Sequence, residues 1–190
     1  MRHIFLPPLL LTVLLTSGCG SMLAAMQVGT IEDEPVERTL ARQIEDESIE
    51  TKARVNLHAA DEAFGDAHLV IVSFNGYVLV AGQVPSESLK IKATDVIREI
   101  YGVRRIYNEL EIASPSSIMT RSSDTWITTK VKSFLLGSPE TEGLRVKVVT
   151  ENGVVYLMGL VTKDEAQRIS DKAAETGGVQ RVVKLFEIVA

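Results

Sequence analysis

The sequence predicts an α+β protein: two tandem copies of one α-β-β-α-β unit, each a three-stranded mixed sheet covered by two helices. Three observations predict it. The first is an internal repeat. Asp46, Ile49, Thr51, Lys52 and Leu57 match Asp124, Ile127, Thr129, Lys130 and Leu135, each 78 residues on. Asn75-Gly76 and Gly82-x-Val84 match Asn152-Gly153 and Gly159-x-Val161 at an offset of 77, and Gly102-Val103 matches Gly178-Val179 at 76. The second is Asn-Gly between two β-rich runs in each copy, a hairpin signal because both turn residues can take φ > 0. The third is a helical stretch ended by glycine, then a final β-rich run.

Each element has its own signals. A first helix is expected around 40–59 in one copy and 124–136 in the other, with Asp124 placed to cap the second. The hairpins join His68–Phe74 to Tyr77–Gly82 and Arg145–Thr150 to Val154–Gly159. Second helices follow over about 86–100 and 163–176, the latter opened by Thr162-x-x-Glu165, which has the form of a capping box. Closing strands are Val103–Ile112 and Val179–Val189. The strand-helix-strand step predicts a right-handed crossover, with the closing strand parallel to its predecessor. The organisation predicted is a leader over 1–18, a flexible tether over 19–37, a first domain over 38–112, a serine-rich linker over 113–123 and a second domain over 124–190.

The chain has 190 residues, 45% hydrophobic and 24% charged, a globular composition. Its net charge of −5 argues against nucleic acid as the partner. Any attraction to an anionic membrane must come from a local basic patch. Met1-Arg2-His3, an apolar stretch to Leu15 and small residues Ser17-Gly18 lead to Cys19, the one cysteine. This is a signal peptide, too short to span a bilayer. Leu15-Thr16-Ser17-Gly18-Cys19 resembles a bacterial lipobox, with threonine where leucine is usual three residues before the cysteine. That resemblance makes Cys19 the lipidated mature N-terminus. Gly20, rather than aspartate, after it implies the outer membrane. Ordinary secretion with a leftover cysteine is the alternative.

Helix 124–137 has two apolar sides. At about 100° per residue, Ile127, Val131, Phe134 and Leu135 form the expected core stripe. Trp126, the one tryptophan, lies on another side with Thr129, Ser133 and Leu136, flanked by Lys130 and Lys132. An aromatic and a leucine beside lysines suit a membrane interface or a partner groove. They also suit packing of Trp126 on the neighbouring domain or linker. The first copy has Ser48, Val55 and His58 at the matching positions, with Glu45, Asp46, Glu47 and Glu50 around them. Its helix should be repelled by an anionic surface.

Asp124-Thr125-Trp126-Ile127-Thr128-Thr129-Lys130-Val131, Thr150-Glu151-Asn152-Gly153 and Leu157-Met158-Gly159-Leu160-Val161-Thr162 carry a resemblance to the BON domain. With the repeat and the lipobox, the chain resembles the dual-BON outer-membrane lipoproteins. The resemblance implies a periplasm-facing protein that binds anionic phospholipids such as phosphatidylglycerol and cardiolipin through the first helix of its second domain. It also implies envelope integrity, division-site enrichment and a link to the outer-membrane β-barrel assembly machinery. Resemblance and helical wheel together select Trp126, Thr129, Lys130, Lys132, Ser133 and Leu136 as the phospholipid-binding residues. The rival reading is a protein-docking module using the same face.

No catalytic constellation stands out, and neither enzymatic activity nor a cofactor is expected. His3 is in the leader. His58 and His68 have no metal-site spacing and are expected to be solvated. The Glu45-Asp46-Glu47 run reads as a solvated helix start. No phosphate-binding loop or nucleophile elbow is present.

Overall fold

The computed structural model describes residues 39–137 and 145–189. The leader, Cys19 and the tether lie outside the described residues. Pro35–Ala190 forms a compact unit by itself.

The first copy runs α1 (Leu40–Ala60), α2 (Ala63–Asp66), β1 (His68–Phe74), β2 (Tyr77–Val84), α3 (Glu87–Arg98) and β3 (Arg105–Ile112). The second runs α4 (Ile118–Gly137), β4 (Val146–Glu151), β5 (Val154–Val161), α5 (Lys163–Ala174), β6 (Arg181–Lys184) and β7 (Glu187–Ile188). β1 pairs antiparallel with β2, and β2 pairs parallel with β3. β4, β5 and β6 repeat that order. β6 and β7 are one strand in effect: Leu157 opposite Lys184 and Leu160 opposite Glu187 keep the same register. The fold class is the one the sequence predicts.

Local chemistry explains the elements. Both hairpin turns have φ > 0 at both central residues, 51° and 76° at Asn75-Gly76 and 50° and 74° at Asn152-Gly153, the type I′ geometry. Thr162 and Glu165 make the expected capping box. Ile49, Ala53 and Leu57 of α1 and Leu89, Ala93 and Ile97 of α3 cover Val78, Val80 and Val84 of β2. Ile127, Val131 and Leu135 of α4, with Ala166, Ile169 and Ala173 of α5, cover Val155, Leu157 and Val161 of β5.

The other faces of the two sheets meet. Leu79 and Ala81 of β2 pack with Tyr156, Met158 and Leu160 of β5 and with Phe74 and Leu185. The result is four layers: helices, sheet, sheet, helices. Burial in this seam pushes the Tyr156 hydroxyl up to about 12. Polar clasps edge the seam. Glu187 accepts two bonds from Arg104 at 2.7 and 2.9 Å and one from Asn75 at 2.6 Å. Glu151 meets His68 at 3.1 Å and Gln83 at 2.9 Å. Lys147 reaches Glu50 at 2.8 Å. The Arg104 hydrogen bond, aided by Asn75, holds Glu187 below the usual carboxylate value against the opposing effect of burial.

Five expectations are corrected. Half of the linker is helix: α4 begins at Ile118, and Ser117 Oγ accepts from Thr120 N at 3.1 Å as its cap. Asp124 therefore caps nothing. It is buried inside α4 and accepts from Asn152 N at 2.9 Å and Gly153 N at 2.8 Å, fastening the hairpin turn. Asp46 is likewise buried rather than solvated, and holds Asn75 N, Gly76 N and Ser73 Oγ at 2.6–2.9 Å. Phe134 is half exposed, because the core stripe of α4 is the narrower row of Ile127, Val131 and Leu135. His68 is paired with Glu151 rather than solvated.

Candidate functional site

The tryptophan side of α4 is free of the body of the protein. Trp126 is 63% exposed. It is not among the side chains packed between the two sheets. Leu136 (57% exposed) and Met119 (80%) share the outer arc of the helix with it, and Ile118 and Phe134 are also open. Met119, Trp126 and Ser133 recur every seven residues, so they lie within about 40° of one another on the wheel.

The polar groups between these side chains are already satisfied. Ser122, Thr125, Thr129 and Ser133 each donate to the carbonyl four residues earlier, at 2.9, 3.0, 2.9 and 2.9 Å. An exposed hydroxyl bonded back to its own helix loses little when water is withdrawn. This face can therefore enter a water-poor interface at lower cost than its composition suggests.

The two lysines differ. Lys130 Nζ donates to the Gly177 carbonyl beyond the end of α5, which ties α4 to that turn. Lys132 is exposed and, among the described residues, pairs with no carboxylate. Thr129, Ser133 and Leu136 lie on the outer face with Trp126, as expected. The sequence reading missed Ile118, Met119 and Arg121, because it ended the linker at Ser123. The signals were present in Ser117-x-x-Thr120 and in the seven-residue recurrence back to Met119.

In the first copy, Ser48 is half-buried where Trp126 stands, and Glu50 is drawn to Lys147. Among the described residues, no cluster of His, Cys, Asp and Glu is arranged to hold a metal. No described helix is long and apolar enough to cross a membrane.

Fold and face define a class: a duplicated α+β protein with one helix face altered in one copy. The BON domain model matches residues 45–114 and 123–190. The chain belongs to the BON-domain family. It is 37% identical over 150 residues to the outer membrane lipoprotein DolP of Haemophilus influenzae, covering 79% of this chain and 78% of that one. It is 35% identical over 152 residues to a 21 kDa hemolysin of Actinobacillus pleuropneumoniae, covering 80% and 78%. The osmotically-inducible protein Y of Escherichia coli is 25% identical over 193 residues, with 96% of each chain covered. These relatives support an envelope-associated lipoprotein.

Proposed function

We propose that this protein is an outer-membrane lipoprotein, anchored through Cys19 and facing the periplasm, that binds anionic phospholipid through the outer face of α4. Phosphatidylglycerol and cardiolipin are the ligands, and the contact supports envelope integrity at division sites. The lipoprotein relative and the sequence around Cys19 support the anchor. One observation carries the lipid reading: the single tryptophan stands out from a face whose hydroxyls are already bonded to their own helix. Trp126 enters the interface, Leu136 and Met119 extend the apolar contact, Thr129 and Ser133 lie between them, and Lys132 brings positive charge to one flank, whereas Lys130, expected from the sequence to do the same, is committed to the Gly177 carbonyl.

The magnitudes describe a modest interaction. A basic residue near an anionic surface is worth about 1 kcal/mol. Partial burial of an aromatic adds on the order of 1–2 kcal/mol. The lipid anchor raises the effective concentration of the face at the bilayer. Transient contact that responds to lipid composition follows.

Co-sedimentation of residues 35–190 with vesicles of rising phosphatidylglycerol content tests this. Wild type is expected to bind in proportion to anionic lipid, and Trp126→Glu to lose binding with an unchanged circular dichroism spectrum. Wild type that ignores the vesicles would assign the face to a protein groove instead, such as one on the outer-membrane β-barrel assembly machinery.

A further inference from the structure

We infer that the anionic headgroups are taken on one flank of α4 only, the flank bearing Arg121 and Lys132, where a cleft opens between the two copies. This rests on the phospholipid reading above and assigns Arg121 a binding role. The cleft has a volume of about 460 Å³. Arg121, Thr125, Thr129 and Lys132 line it from α4, while His68 of β1 in the first copy lines the opposite side.

Charge is distributed unevenly in this cleft. Its two carboxylates are spent on internal bonds. Asp124 holds the Asn152 and Gly153 amides at 2.9 and 2.8 Å. Glu151 is occupied by His68 at 3.1 Å and Gln83 at 2.9 Å. Its two cations are not spent. Arg121 and Lys132 are both exposed and, among the described residues, neither pairs with a carboxylate. Eleven residues apart, they stand on nearly the same side of the helix, separated by roughly 16 Å along its axis. At that backbone spacing each cation is assigned its own headgroup.

The opposite flank is built differently. Lys130 is half-buried and its ammonium is committed to the Gly177 carbonyl. It serves the fold by holding α4 to the turn after α5. A bilayer engaged by Arg121 and Lys132 lies along the outer face of α4 and is rolled toward the first copy. That copy thus borders the binding site without contributing an insertable aromatic.

Vesicles of phosphatidylglycerol and phosphatidylethanolamine, with residues 35–190 carrying Arg121→Gln, Lys132→Gln, Lys130→Gln or Trp126→Glu, test the assignment. Arg121→Gln and Lys132→Gln should each weaken binding about fivefold, and together about 25-fold, with a shallower dependence on salt. Lys130→Gln should lower the melting temperature and leave the affinity of the folded protein within about twofold. Inorganic phosphate at matched ionic strength should not compete, because bilayer lipid is the ligand. If Arg121→Gln and Lys132→Gln bind like wild type while Trp126→Glu does not, the flank assignment is wrong and the lipid reading survives. Equal losses from Lys130→Gln and Arg121→Gln would also overturn it, as would full competition by phosphate. No binding by wild type removes both.

Discussion

Asp124 and Asp46 each hold the two amides of a tight turn from inside a helix, and Asp46 also takes the Ser73 hydroxyl. Replacing one by alanine leaves the turn amides without their acceptor, the buried glycine N–H among them, which costs about 2–3 kcal/mol. Urea denaturation of Asp124→Ala should show that loss, and Asp124→Asn a smaller one. Trp126→Glu should behave oppositely. The side chain is exposed, so stability should stay within about 0.5 kcal/mol of wild type. The two aspartates were visible as repeat positions, but their role was misread. Asp46, Ile49, Ala53 and Leu57 follow one helical row, and so do Asp124, Ile127, Val131 and Leu135. A carboxylate on an apolar row marks a buried, satisfied acid rather than a cap.

The two copies diverge most informatively in their middle strands. Gly82 has φ +119°, and a Cβ there would lie 2.0 Å from the His68 carbonyl oxygen. Gly159, its counterpart, would meet the Arg145 carbonyl oxygen at 3.0 Å and has no left-handed φ. Gly82→Ala should therefore cost at least about 2 kcal/mol more than Gly159→Ala in thermal or urea unfolding. Hairpins, helices and crossovers were legible because turn chemistry and helix stops are local. The start of α4 was not, because serines that cap a helix also read as a linker. Burial of β2 and β5 on both faces was legible and went unread. Tyr77–Val84 and Val154–Val161 are almost continuously apolar, the mark of a strand covered twice.

At the scale of the molecule, the seam between the sheets and the clasps at its edge hold the two copies together. Glu187 titrates below the usual carboxylate value because Arg104 bonds it. A group depressed in the folded state stabilises fully above its unfolded pKa of about 4.3 and loses that contribution as pH falls through the lower, folded value. Wild type should therefore lose stability on acidification below about pH 4.5, and Glu187→Gln should lose less over the same range. Glu165, lowered mainly by its hydrogen bond from the Thr162 backbone, acts in the same direction, so part of the slope remains in the variant. Melting temperatures of both proteins from pH 7 to pH 3 measure the difference. The face-to-face packing of the copies lay beyond a repeat-by-repeat reading, since each copy is complete with its own helices. It is also what leaves Trp126 outward: the seam fills with Leu79, Ala81, Met158 and Leu160.

Whether that outward tryptophan meets lipid is reported directly by its own emission, because it is the only one in the chain. Residues 35–190 should be titrated with phosphatidylglycerol vesicles and, separately, with zwitterionic vesicles. Emission moving to shorter wavelength with the anionic vesicles alone is the result predicted, as Trp126 leaves water for the interface. Emission unchanged at saturating anionic lipid would contradict the account.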